Sequence, residues 1–379
     1  MACDSKTSFF ETDDKPAAID CGLGHACQFC PQEDVCALDK PHHNRVLVEA
    51  RLAEIDQIII VLANKGGVGK STVSANLAGG LAKRGFTVGV ADADIHGPNQ
   101  SRFFGFAGSK VRLTDSGLAT CDFADPAIPE PVKVGSLAFL LESDDTPVVW
   151  RDAYKHDFIH HLIGSFDWGS LDFLIVDMPP GTGNELITLC DMLEGANVSA
   201  LLVTTPQAVA QMDSMKAARF CRERGLPLLG AVENMAEVVC PHCAGTFQLF
   251  PDAALKTNLS AAKVQALTQI PMTLSLSSAS DDGLPLILSE PENPAAKAFA
   301  PVIEACATLG REDFDGAVAR ALDDVFAENL EAEGLEEALS QLDPCQQAAM
   351  RDDLASMLEG EAQRLHGKAG AKLQKAEQP

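Results

Sequence analysis

The sequence predicts a doubly wound α/β fold with a mostly parallel sheet, a cysteine-rich leader at one end and an acidic helical appendage at the other. Two observations carry the fold class. Between about residues 46 and 310, short aliphatic runs (58–63, 87–91, 173–176, 200–203 and 228–232), each bounded by Gly, Pro or Asp, alternate with helix-like stretches. Strands that are apolar throughout are buried on both faces, and the intervening helices supply the cover, which is the layering of a parallel sheet. The first run also leads through a glycine-rich turn into a helical pattern, the order expected of an α/β ligand site. At 379 residues, with 46% apolar and 22% charged residues, the chain has globular composition and room for more than one domain.

In chain order, residues 1–45 form the leader. They carry Cys, Asp, Pro and His without an apolar period, so a bound metal could supply the stability that a core does not. Residues 46–310 are the main domain. Residues 311–379 hold 16 acidic and 7 basic residues, and Phe314, Val318, Leu322, Val325 and Phe326 recur there at helical spacing. Gly334 and Pro344 divide this tail into short helices.

Charge excludes whole classes of partner. With 54 acidic against 29 basic residues the net charge is −25, and such a surface repels both nucleic acid and anionic lipid. The polar, acidic start resembles no export signal, and the apolar runs are strand-sized, so the expected location is the cytoplasm. Twelve cysteines in a reducing compartment then call for metal or redox chemistry more than for disulfides. Five fall within the first 36 residues, Cys240 and Cys243 form a Cys-x-x-Cys pair, and five single cysteines read as small buried hydrophobes.

The strongest motif follows the first strand: Lys65-Gly66-Gly67-Val68-Gly69-Lys70-Ser71-Thr72, running into a helix. The glycines let backbone N–H groups converge on phosphate oxygens at a helix N-terminus. Lys70 reaches the outer phosphates, and Ser71 offers a hydroxyl to Mg²⁺. The second strand ends in Asp92-Ala93-Asp94 and the third in Asp177. Carboxylates there can hold the waters of a metal–nucleotide complex, or can simply cap the next helix. An isolated Cys-x-x-Cys reads as half a zinc site, a redox pair or half a cluster site. A two-fold dimer with the pair on its axis would bring four thiolates together.

The octet KGGVGKST resembles the deviant Walker A loop of the ATPases that include MinD, ParA, the nitrogenase iron protein and the Mrp/Nbp iron–sulfur carriers. That resemblance implies a homodimer with nucleotide at its interface and Lys65 reaching into the partner's site. DADIHGPN, PPGTGN, TTPQ and ENM followed by CPHC narrow it to the Mrp/Nbp group over about residues 46–305. Asn99 and Asn184 depart from the usual serine and aspartate.

The resemblance implies that Asp94 positions the attacking water and, with Ser71 and Asp177, holds Mg²⁺, while Asp92 supports the metal. It implies that Asn234 contacts the base and that Cys240 and Cys243 bridge a labile [4Fe-4S] cluster between subunits. The function it implies is a cytoplasmic ATPase that passes clusters to apo iron–sulfur proteins. An electron donor of the nitrogenase-reductase kind and a partitioning-type switch are the alternatives. In the leader, Cys27-x2-Cys30-x5-Cys36 matches three positions of a ferredoxin-like motif, with Asp13 where the first cysteine belongs. A second cluster on Cys21, Cys27, Cys30 and Cys36 is the favoured expectation. Zinc, helped by His25, His42 or His43, and a metal-free thiol-rich tail are the alternatives.

Overall fold

The computed structural model describes residues 36–309 except 142–151, 244, 251–258 and 260–263, together with Ala26, Cys27 and Cys30. Cys21 and the expected helices of 311–379 lie outside the described residues.

Helix α1 (Lys40–Ala53) opens the ordered run. Asp39 caps it by accepting the His42 N–H at 3.3 Å, and Pro41 occupies its first turn. The helix runs across the 45/46 boundary read from the sequence. It leads into β1 (Ile55–Leu62), the phosphate loop, α2 (Lys70–Lys83) and β2 (Val88–Asp92). After the short α3 (Gln100–Phe103) come the two-stranded hairpin β3 (Leu113–Thr114) and β4 (Gly117–Leu118), then β5 (Cys121–Phe123) and β6 (Val132–Ser136). Helix α4 (Asp152–Gly164), β7 (Leu171–Asp177), α5 (Asn184–Met192), β8 (Val198–Thr204), α6 (Ala208–Glu223) and β9 (Leu228–Val239) continue the alternation. The last described elements are β10 (Thr246–Phe247), β11 (Ala266–Met272), α7 (Leu274–Asp282), α8 (Leu286–Ser289), α9 (Pro294–Lys297) and a helical stretch over 300–309.

Among the described residues the main sheet has nine strands in the order β10-β9-β8-β1-β7-β2-β6-β5, with β11 also pairing β9. All the pairings from β9 across to β6 are parallel, as is β11 with β9, and the two outer pairs β5–β6 and β9–β10 are antiparallel. All five strands expected from the aliphatic runs are present. None of the aliphatic runs corresponds to β5, β6, β10 or β11. Lys133 interrupts the apolar character of β6, and Pro271 in β11 removes a ladder donor, so neither reads as a buried strand.

Two packing features brace the sheet and its covering helices. Helix α2 is buried on nearly every face because the sheet covers one side while Ile287, Leu288 and Ile303 cover the other. That second contact needs Gly80, where an added Cβ would lie 2.3 Å from Ile303 Cδ1. The Trp168 indole lies across Gly89 of β2 and Gly135 of β6, whose missing side chains leave room for it. Its Nε1 donates to the carbonyls of Leu162 and Ile163. Helix α1 is fastened to this body by Val48 against Gly164 and by Arg51 Nη1 on Asp167 Oδ1 at 3.1 Å.

Candidate functional site

Three neighbouring parallel strands end at the same place and deliver the site. From β1 the chain enters the loop of residues 65–72. Gly67 and Gly69 sit at φ +77° and +89°, a left-handed conformation that side chains rarely adopt, so the loop can curl over the end of α2. Lys70 is buried, whereas Lys65 at the outer edge is half-buried and makes no ion pair with any described residue. The Gly181 N–H donates to the Ala63 carbonyl at 2.9 Å, which docks the 178–184 switch beside the loop. Asn184 is exposed at the start of α5.

Strands β2 and β7 supply the carboxylates. Asp92 and Asp177 are register partners, and both are fully buried. Asp92 Oδ2 accepts from the Gln100 N–H at 3.0 Å and the Ser136 hydroxyl at 3.1 Å, while its Oδ1 accepts from the Asp94 N–H. Asp177 accepts from Ser74 Oγ at 3.2 Å and Gln100 Nε2 at 2.8 Å. Half-buried Asp94 caps its own turn by accepting the Gly97 N–H at 3.2 Å.

Burial dominates the electrostatics of all three. It pushes Asp92 well above the usual carboxylate range, and the neighbouring Asp177 charge pushes it further. Asp177 is raised by burial too, against hydrogen bonds from Ser71, Gln100 and Ser74 and the charge of Lys70. Asp94 is raised by burial and pulled back first by Lys70. Lys70 therefore faces two of the three acids.

This donor set fits a divalent cation through the Ser71 hydroxyl and the Asp94 and Asp177 carboxylates, whose desolvation a cation would relieve, while both oxygens of Asp92 already accept from N–H and O–H donors. The Gln100 Oε1 fits as well, since it is buried and has no hydrogen-bond partner, the setting in which a metal-bound water can donate.

Gln100 is the functional residue that sequence reasoning missed. Its Nε2 bridges the Ser71 carbonyl at 3.1 Å and Asp177, and its N–H holds Asp92, so it ties the first turn of α2 to the ends of β2 and β7. The one available signal was its position directly after Asn99 in the strand-end element.

Asn234, at 4% exposure, donates its Nδ2 to the Val68 carbonyl at 2.9 Å. A Cβ on Gly69 would fall 2.1 Å from that nitrogen, so the amide packs directly on the phosphate loop. Met235 follows with φ +57°, the one positive value at a non-glycine residue among the described residues. Strand β9 bulges there: Ile270 pairs with Asn234, but Met272 pairs with Val238. Beyond the bulge, Val239 and Val238 pair with Thr246 and Phe247, and the Cys240 N–H donates to the Gly245 carbonyl at 2.9 Å.

That hairpin presents Cys240 half-buried and Cys243 exposed, flanked by Phe247 and Leu249 at 54% exposure each. The backbone N–H groups of His242 and Cys243 and the Cys243 side chain lower the Cys240 pKa, as suits a thiolate ligand. Cys221 and Cys306, by contrast, are pushed up to about 12 by burial.

In the leader, Cys27 is buried and its Sγ lies 3.4 Å from His43 Nδ1 on α1, while Cys30 and Cys36 are half-buried. Among the described residues no three Cys, His, Asp or Glu side chains form a preassembled metal centre.

A curled glycine loop at a helix N-terminus, with its lysine facing carboxylates from two adjacent strand ends, defines a P-loop nucleotide-hydrolysing protein. The model of the NUBPL iron-transfer P-loop NTPases, a ParA-type family, matches residues 54–307, and the chain belongs to that family. It is 39% identical over 253 residues to an iron-sulfur cluster carrier protein of Saccharolobus solfataricus, covering 66% of this chain and 83% of that one. A protein of the same description from Pyrococcus horikoshii is 40% identical, covering 65% and 84%. Among solved structures, a nucleotide-binding protein of Archaeoglobus fulgidus in complex with ADP superposes with a TM-score of 0.57 at 33% identity, covering 68% of this chain and 97% of that one. Over the same central region the chain is an ATPase of P-loop type. No helix among the described residues is long and apolar enough to cross a membrane.

Proposed function

We propose that this protein is an ATP-dependent carrier that holds a labile [4Fe-4S] cluster between the Cys240 and Cys243 pairs of two copies and passes it to apo iron–sulfur proteins in the cytoplasm. Its working domain is 46–310, and neither nucleic acid nor membrane takes part. The supporting observation is the continuity of β9. One strand leaves the nucleotide loop at Asn234, bends at Met235 and carries the thiols at its far end. The names of the carriers in Saccharolobus and Pyrococcus agree with this cargo.

In this reading ATP lies along Gly66, Gly67, Val68, Gly69 and Thr72, with Lys70 on its outer phosphates and Asn234 beside the base. Ser71, Asp94 and Asp177 hold Mg²⁺, with Asp92 ordering the turn that presents Asp94. The metal supplies charge neutralisation of the phosphates when bound. Asp94 orients the attacking water, and Lys65 reaches the nucleotide of the partner copy. Hydrolysis releases the contacts at the loop, and β9 transmits the change to the thiol hairpin. Two thiolates per chain leave the cargo half-ligated by each copy, which makes it releasable.

Mixing the reconstituted protein with an apo-ferredoxin under anaerobic conditions tests the carrier reading. A carrier loses iron and sulfide to the acceptor in equal measure. An electron donor reduces a loaded acceptor and keeps its cluster, and that result would replace the proposal.

A further inference from the structure

Gln100 is fully buried, and the two ends of its amide are used unequally. Its Nε2 donates to Asp177 Oδ2 at 2.8 Å and to the Ser71 carbonyl at 3.1 Å, which occupies both of its hydrogens. Both partners are acceptors, so the amide cannot be turned over: the nitrogen must face them and Oε1 must face the other way. That oxygen is also buried, and no donor among the described residues reaches it. The backbone fixes the residue independently, because its N–H donates to Asp92 Oδ2 at 3.0 Å and its carbonyl accepts the Phe104 N–H at 3.2 Å.

A buried acceptor without a donor is costly, and a side chain needed only to bridge Asp177 to α2 has no use for one. The oxygen suits a donor that arrives with a ligand. Gln100 lies between Ser71 and Asp177, two of the three groups assigned to magnesium, an ion that usually keeps several of its waters. Acceptors behind such a coordination shell orient it. We propose that Gln100 is a positioning residue of the magnesium site: its Nε2 fixes Asp177 against the first turn of α2, and its Oε1 accepts a hydrogen from a water on the bound ion. The proposal rests on the reading of Ser71, Asp94 and Asp177 as the magnesium site. It is independent of the cluster, because it involves neither Cys240 nor Cys243.

The test uses the full chain with Gln100→Met, which keeps the length of the side chain and removes both its donor and its oxygen. ADP affinity is measured by calorimetry in EDTA. Manganese(II) affinity of the ADP complex is read from the EPR signal of the free ion, with protein in excess over ADP. Gln100→Met should keep metal-free ADP affinity within about threefold and weaken manganese about ten- to a hundredfold, the scale on which outer-shell partners act. Water carrying the magnetic oxygen isotope should broaden the bound-ion signal equally in wild type and variant, since the water stays and loses only its acceptor. Three results overturn the proposal. Equal weakening of ADP and manganese would make Gln100 a brace for the loop alone. Unchanged manganese affinity would leave Oε1 to an ordinary buried water, and an extra bound water in the variant would make Oε1 a direct ligand. A wild-type complex that takes up no manganese overturns the magnesium reading together with this proposal. Should Gln100→Met not fold, Gln100→Asn, whose amide is one methylene short, is read by the same measurements with the same expected losses.

Discussion

The Asn234 side-chain amide donates to the Val68 carbonyl at 2.9 Å, and this hydrogen bond joins the strand that bears the thiol pair to the loop that grips phosphate. A buried bond of this kind contributes about 0.5–1.5 kcal/mol. Asn234→Ala should therefore weaken ADP binding about tenfold in calorimetry, since 1.4 kcal/mol is a factor of ten. It should also uncouple cluster release from nucleotide, because β9 no longer follows the loop. Unchanged ADP affinity would remove Asn234 from the site.

The buried acids make a pH prediction. Asp92 has its folded pKa raised well above the ordinary carboxylate value, by burial and by Asp177. A group raised in this direction contributes its stability below the unfolded pKa and loses it as pH rises through the folded one. Asp92→Asn stays uncharged throughout. Without nucleotide or magnesium, its thermal stability relative to wild type should rise from acid toward neutral pH. A flat difference would mean that Asp92 is not strained by its charge.

Lys65 is half-buried without an ion pair among the described residues, as suits a residue whose partner lies on another copy. Lys65→Ala should keep nucleotide affinity within about threefold and lower turnover at least about a thousandfold, the scale of a charge supplied in trans. Mixing Lys65→Ala with Asp94→Asn should restore part of the activity, since one site of the mixed dimer then has both groups. No restoration would assign Lys65 to its own site.

The parallel sheet was legible because β1, β2, β7, β8 and β9 are nearly continuous apolar runs, which a sheet buried on both faces requires, whereas their order in the sheet was not. The phosphate loop was legible because backbone conformation demanded glycine at 67 and 69 and chemistry demanded Lys70. Gln100 was not, since its role comes from where β2 and β7 end relative to each other, which one-dimensional spacing does not encode. The bulge at Met235 escaped for a similar reason: it arises from pairing with the proline-bearing β11. In the leader, cysteine spacing suggests a cluster, whereas the approach of Cys27 to His43 is a contact that spacing does not announce.

The most direct test of the carrier account is the iron and acid-labile sulfide content of the anaerobically reconstituted dimer, measured for wild type and for Cys240→Ala alongside ADP binding. The account predicts one [4Fe-4S] cluster per wild-type dimer, its loss in Cys240→Ala, and ADP affinity unchanged between the two. Full iron and sulfide content in Cys240→Ala would contradict it.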